Sequence, residues 1–280
     1  MVVFIIHVRS KGSFLYYESI WDSVDATIHS VIAQDDDRFK IIVVSEDCNS
    51  RSYNDDDRVI FIDASFKEAL TDGLASATVQ YYSAPSTQLE KGCARAVALL
   101  HAKSLNPSYV MFLDVGDFIH ESIVNRLLSG EKNPSGWVIK QGMVLRDFMF
   151  RSQYDIPSVS DSSHILNFDT LTRTFDFDKF SDSQVPSFEK ISTSLHPYYL
   201  RRILGGGGEY DAFFHNKNHP IFEWGGASII YNMGYCSPDI EAPKIRQVGW
   251  HPVSDAEGNI DFRLSGYNIR EDFLRPKCTT

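Results

Sequence analysis

Cysteine is scarce in this chain and basic charge is in deficit, and each shortage narrows what the molecule can be. Four cysteines occur in 280 residues, Cys48, Cys93, Cys236 and Cys278, and no two form a C-x-x-C pair, so neither a zinc site nor a redox dithiol is indicated. They are expected as reduced thiols of a cytosolic protein. Lys and Arg total 27 against 37 Asp and Glu, a formal charge of -10, which lacks the clustered cations that a broad grip on nucleic acid requires. No run approaches the roughly 20 apolar residues of a membrane-spanning helix, so any membrane role is expected to be peripheral and at the cytoplasmic face. The opening VVFIIHV is followed by Arg9 and Lys11 with no small-residue cleavage site, and reads as a first strand in place of a signal peptide. There is no internal repeat, and no low-complexity tract beyond Gly205 to Gly208.

What is present suits a large α/β domain, with 43% apolar residues enough for a sizeable core. Up to about residue 130, compact β-branched runs alternate with helical periods, the pattern of βαβ units on a mostly parallel sheet. Strands are expected at Val2 to Val8, Lys40 to Ser45, Arg58 to Ile62 and Tyr109 to Leu113. Trp21, Val24, Ile28, Val31 and Ile32 recur at spacings of three and four and mark the buried stripe of a helix. A second helix is expected from Leu89 to Ser104, closed by Asn106-Pro107. From 131 to 280 the pattern is less regular. The stretch near 147–190, rich in Asp, Ser and Phe, reads as a long irregular loop or insertion, followed by helical character from His196 to Leu204 and a strand-like ASIIYNM at 227–233.

The segment YVMFLDVGDFI is the most informative, because a buried strand there ends in two carboxylates, Asp114 and Asp117. Open α/β sheets bind ligands at that edge. Paired carboxylates suit a hard divalent ion, Mn²⁺ or Mg²⁺, which could bridge them to a diphosphate and screen the charge of a leaving group. A turn followed by a helix cap accounts for the same residues without chemistry. Lys91 and Arg95, four apart, share one helix face.

Taken in order, LEKGCARAVALLHAKSLNPSYVMFLDVGDFIHESIV resembles the stretch in family 2 GT-A glycosyltransferases in which a Lys-Gly-x-x-x-Ala-Arg helix leads into a Phe-Leu-Asp strand end. The opening strand, the Ser-Val-Ile-Ala-Gln helix end and the KIIVVSED strand resemble the same family's first nucleotide-binding unit. The resemblance covers roughly residues 1 to 130 and continues more weakly to about 235. It implies a GT-A, Rossmann-like fold: residues 1–130 as a nucleotide-sugar-binding half, 131–280 as an acceptor-binding half, together one continuous domain with a C-terminal extension. It also implies a nucleotide-diphosphate sugar as donor, a UDP-sugar being favoured, and a glycan or lipid-linked acceptor, in surface polysaccharide assembly. Glu46 and Asp47 fall where the family sets an acid against the base, with His7 and Arg9 on or beside the flanking loop; a solvated turn explains the acids equally simply. Lys91 and Arg95 fall near the donor's phosphates, and Gly92 between them would let the backbone approach the donor. One departure is plain: the family carries Asp at the first and third positions of its metal motif, and here the third is Gly116, so Asp117 acts as ligand, or Asp114 meets the ribose, or metal binding is weakened.

An inverting transfer needs a general base for the acceptor hydroxyl, commonly a carboxylate. GGGGEYDAFF resembles the family's Glu-Asp motif with Tyr210 inserted, making Asp211 the base with Glu209 its neighbour, or the reverse. The same acids also fit the N-terminal charge of a helix. Phe213, Phe214, His215, His219, Phe222, Trp224, Trp250 and His251 suit a sugar-stacking cleft or, as aromatics more often do, a core. His251 is in addition a candidate metal ligand by resemblance. A sugar-phosphate nucleotidyltransferase and a non-catalytic carbohydrate- or nucleotide-binding homologue are the alternatives, and the oligomeric state has no sequence signature.

Overall fold

In the computed structural model the described residues are 1–8, 17–45, 56–63, 86–130, 135–146, 149–158, 160–180, 188–206, 209–226, 228–232, 251–252, 264 and 266–269. Four parallel strands form one side of the larger sheet, out to its edge at β3: β1 (Val2–His7), β2 (Phe39–Ser45), β3 (Val59–Asp63) and β4 (Tyr109–Leu113). All four stand where the apolar runs predict them, and β1 and β4 are buried along their whole length, as strands covered on both faces must be. Their lateral order is β4-β1-β2-β3, with Ile5 opposite Ile42 on one side and Phe112 on the other.

Alternation along each strand divides the core between two layers. Val2, Phe4, Ile6, Met111 and Leu113 pack with Trp21, Val24, Ile28 and Val31 of α1 (Tyr17–Ile32). Val3, Ile5, Val110 and Phe112 pack with Cys93, Ala96, Val97 and Leu99 of α2 (Ser86–Leu105). The small residues of α2 allow it to lie close on the sheet. A further close approach joins α2 to a π-helical turn at Tyr199–Leu204: a β-carbon on Gly92 would overlap the Leu200 carbonyl, and one on Gly205 would overlap that of Gln88. Gly92 therefore serves a contact between two backbones within the protein, a correction to the expectation that it opens the backbone to a ligand.

The larger sheet continues past β4 through strands of the second half. β9 (His164–Asn167) pairs antiparallel with β4, β6 (Gly136–Val138) antiparallel with β9, and β10 (Phe222–Glu223) parallel with β6. The result is a mixed, mostly parallel seven-stranded sheet flanked by helices. A second sheet, in the order β12-β8-β7-β11-β5, comprises β5 (Phe118–Ile119), β7 (Gln141–Arg146), β8 (Met149–Tyr154), β11 (Ile229–Asn232) and β12 (His251–Pro252). Its own small core gathers Phe118, Met143, Leu145, Phe150, Ile230, Leu264 and Tyr267.

The stretch near 147–190, expected to be irregular, supplies β8, β9 and the helix α4 (Phe168–Thr174). HILN is too short to show a period, and its burial comes from β4 and β6 on either side. Asn167 then starts the helix by accepting the Thr170 backbone N–H at 3.0 Å, a side-chain cap of the usual kind. Three further helices, α3 (Ile123–Ser129), α5 (Phe188–Ser194) and α6 (Tyr210–Asn216), complete the described elements that bear on the site. No helix among the described residues is long and apolar enough to cross a membrane.

Candidate functional site

The strand order places a switch point between β1 and β4, since the chain leaves β1 for β2 on one side and returns to β4 on the other. Connections that diverge in this way open a crevice beyond the carboxyl ends of the two central strands. His7 ends β1 and Asp114 follows β4 at that edge. Continuing the alternation puts Asp114 on the face shared by Val110 and Phe112, beneath α2. The first half of α2 brings Lys91 and Arg95 to the same place.

There the four charges interlock. Lys91 Nζ donates to Asp114 Oδ1 at 2.8 Å and to Asp161 Oδ2 at 2.6 Å. Arg95 Nη1 donates to Asp161 Oδ2 at 3.2 Å and to the Leu204 carbonyl at 2.8 Å, and its Nη2 lies 3.5 Å from Asp114 Oδ1. Arg95 is 1% exposed, with its guanidinium stacked 4.7 Å from the centre of the Phe112 ring. Lys91 and the two carboxylates keep partial access to solvent, the Asp114 side chain most at 30%. Burial alone would raise the Asp114 pKa, yet the charges of Lys91 and Arg95, the Lys91 hydrogen bond and the Asp161 N–H outweigh it and hold this carboxyl far below its ordinary range. Tyr210, fully buried beside the cluster and stacked on Phe112 at 6.2 Å, is pushed the opposite way, mainly by burial.

Sequence reasoning did not single out Asp161. It reaches the cluster because β9 runs antiparallel to β4, so the chain enters β9 at the edge where it leaves β4. The turn before β9 is made by Ser160-Asp161-Ser162-Ser163, with Ser160 Oγ accepting the Ser162 N–H at 3.0 Å. That S-D-S-S cap ahead of a short apolar run is the one local signal that could have revealed it. The turn is fastened to the end of β4 as well: Ser162 Oγ accepts the Asp114 N–H at 2.8 Å, and Asp161 N–H donates to Asp114 Oδ2 at 3.2 Å.

Asp117 has a different environment from Asp114. It is 1% exposed, and its Oδ2 accepts the hydroxyls of Ser160 and Ser162, each at 2.6 Å. Its N–H returns to the Asp114 carbonyl at 3.1 Å, closing a turn in which Gly116 adopts φ +93. A left-handed residue is what the turn needs, and glycine adopts it without steric cost. Gly116 N–H donates to Thr27 Oγ1 at 2.8 Å, which fixes the turn on α1. An acid at the third position would be strained in this turn.

A divalent ion does not fit the donors described. Asp114 uses Oδ1 for two cationic groups and Oδ2 for a backbone N–H, while the known partners of Asp117 are hydroxyls inside the protein. Among the described residues no three His, Cys, Asp or Glu side chains gather as metal ligands. Arg9, Glu46, Asp47 and Trp250 lie outside the described residues, and of His251 only the backbone in β12 is described.

Glu209 precedes α6, accepts the Tyr198 hydroxyl at 3.0 Å and pairs with Arg202 at 3.4 Å. Asp211 lies two residues on, in the first turn of α6, where only its backbone is described, and Tyr210 between the two acids is buried. The aromatic residues of this region mostly build the core. Phe213 and Phe214 are buried, Phe213 stacking on Phe175 at 5.6 Å, and Trp224 is buried with Nε1 donating to Ser228 Oγ at 2.9 Å. His215, His219 and Phe222 are exposed.

No family model matches the chain, and no curated protein matches it. Among solved structures it is similar to residues 1–349 of S. aureus TarS in complex with UDP, at 12% identity and TM-score 0.44, over 82% of this chain and 60% of that one. The same fragment in complex with UDP-GlcNAc gives 12% and 0.44 over 84% and 59%. Mouse xyloside xylosyltransferase 1 in its apo form gives 12% and 0.39 over 79% and 84%. The chain thus spans about 60% of the TarS fragment it aligns with.

Proposed function

We propose that this protein is an inverting glycosyltransferase that moves a sugar from a nucleotide diphosphate, a UDP-sugar in the first instance, onto a hydroxyl of a glycan or lipid-linked acceptor, in surface polysaccharide assembly. The observation that carries the reading is the pair of cations, Lys91 and Arg95, held over an ionised Asp114 at the switch point of a mostly parallel sheet. An α/β crevice with two convergent positive groups suits a diphosphate, and the sequence resemblance supplies the sugar.

In the proposed reaction the donor's diphosphate lies against Lys91 and Arg95, with the nucleoside extending over the ends of β1 and β2. The acceptor oxygen attacks the anomeric carbon from the side opposite the diphosphate. The carbon–oxygen bond to phosphate breaks, its electron pair stays with the leaving nucleoside diphosphate, and the in-line path inverts the centre. Lys91 and Arg95 stabilise the charge that develops on the leaving oxygen, where buried and preorganised donors count most. The acceptor's proton passes to Asp211, the acid we assign as general base because Glu209 is already engaged by Tyr198 and Arg202. Asp114 orients the two cations. Asp117 acts behind them as a positioning residue, fixing the turn that carries Asp161.

Calorimetric titration of UDP tests the reading directly, run once with Mn²⁺ and once with a chelator. The donor set predicts binding in both, weakened by at least about tenfold in Lys91→Met, the loss of one charge-assisted phosphate contact. Failure to bind any nucleoside diphosphate under either condition would refute it. Because both cations are already matched by carboxylates, a non-catalytic binding protein is the second reading. Release of free sugar from radiolabelled UDP-sugars separates the two: slow hydrolysis abolished by Asp211→Asn and retained by Glu209→Gln supports transfer, and binding with no hydrolysis of any donor supports the alternative.

A further inference from the structure

We infer that Asp161 is a resident counter-ion of the donor site: its carboxylate occupies the position of a phosphate oxygen against Lys91 and Arg95, and anionic ligands bind by displacing it. The inference rests on the preceding reading of Lys91 and Arg95 as an anion-binding pair and adds what sets its affinity.

Three observations support it. The first is the way the carboxylate is held. Asp161 receives Lys91 at 2.6 Å and Arg95 at 3.2 Å on one oxygen, Oδ2, as a single phosphate oxygen bridging two cations would. The second is that its backbone is anchored without its side chain. The Asp161 N–H is held by Asp114 Oδ2, and the flanking Ser160 and Ser162 are fastened to Asp117. Rotation about the side-chain bonds therefore withdraws the carboxylate and leaves the turn, and β9 behind it, in place.

The third is charge. With Asp161 in position the cluster holds two cations and two carboxylates, and a diphosphate arriving beside it meets no net attraction. With that carboxylate swung out, Lys91 and Arg95 exceed Asp114 by one charge. Asp114 is the poorer candidate for the displaced group, since it engages both cations on Oδ1 and also holds the Asp161 N–H through Oδ2, so moving it dismantles the turn. A side-chain exposure of 17% gives Asp161 a route to solvent.

The test uses two probes, inorganic pyrophosphate and UDP, titrated calorimetrically into the wild-type chain, Asp161→Asn and Asp161→Ala, with melting curves recorded on each. Removing a competing charge at contact distance is expected to tighten both probes roughly tenfold in each variant, a change of about one unit in log Kd. Adding Lys91→Met to Asp161→Asn should cancel the gain. A purely structural role for Asp161 moves affinity the other way, because a loosened turn misplaces Lys91 and Arg95. Unchanged or weaker binding in the folded variants overturns the inference, as does loss of folding in both, or failure of all the proteins to bind pyrophosphate. Tighter pyrophosphate binding with no binding of UDP leaves the counter-ion standing and removes the nucleotide reading. Binding of both probes, unaffected by the variants, does the reverse.

Discussion

Lys91 and Arg95 sit four residues apart on one helix and contact the same two carboxylates, yet their environments make them unequal. Arg95 is enclosed by Phe112, the Leu204 carbonyl and Asp161, whereas Lys91 reaches the solvent side of the cluster. Arg95→Ala leaves the Leu204 carbonyl inside the protein without its donor and Asp161 with Lys91 alone, and loss of one partner of a buried pair costs about 3 to 5 kcal/mol. Lys91→Met, which keeps the aliphatic stem and leaves Arg95 against both carboxylates, is expected to cost less, about 1 to 2 kcal/mol. Chemical denaturation of the two variants measures the difference; equal losses would show that the guanidinium is not the structural member of the pair. The helical spacing of these two residues and the strand-end position of Asp114 were legible in the sequence. Asp161 was not, because its role arises from antiparallel pairing between strands 50 residues apart in the chain. The sequence also suggested Asp114 and Asp117 as a matched pair, and spacing could not foresee that a turn through Gly116 would bring the second carboxylate to two seryl hydroxyls.

Elements with strong local periodicity were the readable ones. The β1 to β4 runs and the stripe on α1 are dictated by burial, and they appear where the compact apolar runs and the 3.6-residue period predict them. β8 and β9 carry no such signal: MFRSQY is half polar and HILN spans four residues, and both are strands because of their neighbours. Glycine in α2 was the least transparent feature. In the middle of a helix it costs helix stability, so something must compensate. The compensation is the packing of α2 on the π-helical turn, which also delivers the Leu204 carbonyl to Arg95. Gly92→Ala must push the two segments apart, and overpacking of this kind against backbone costs about 1 to 3 kcal/mol, less the small gain in helix propensity. The expected result is a lower midpoint in denaturant together with weaker UDP binding, as Arg95 loses its carbonyl. A more stable Gly92→Ala protein would mean that the two segments do not touch as described.

At the scale of the whole molecule, one sheet joins both halves of the chain, and the site lies where they meet: Lys91, Arg95 and Asp114 come from the first, Asp161 and Tyr210 from the second. The cluster is therefore a tertiary cross-link as well as a candidate binding site, and its charge state couples folding to pH. The sign follows from Asp114, whose carboxyl is held below its ordinary value of about 4 by Lys91 and Arg95 despite burial. A carboxyl depressed in the folded state adds stability that is fully present above that ordinary value. The contribution is lost as pH falls through the lower, folded one, because the unfolded chain then binds the proton first. Wild-type protein is accordingly expected to lose stability steeply below about pH 4, with part of that slope belonging to this one group. Asp114→Asn should be less stable at neutral pH, and its stability should fall less steeply across the acid range. Urea midpoints collected between neutral pH and pH 3 give both quantities. If the variant and the wild type ran parallel through the acid limb, Asp114 would not be the ionised partner that binds the two halves of the sheet together.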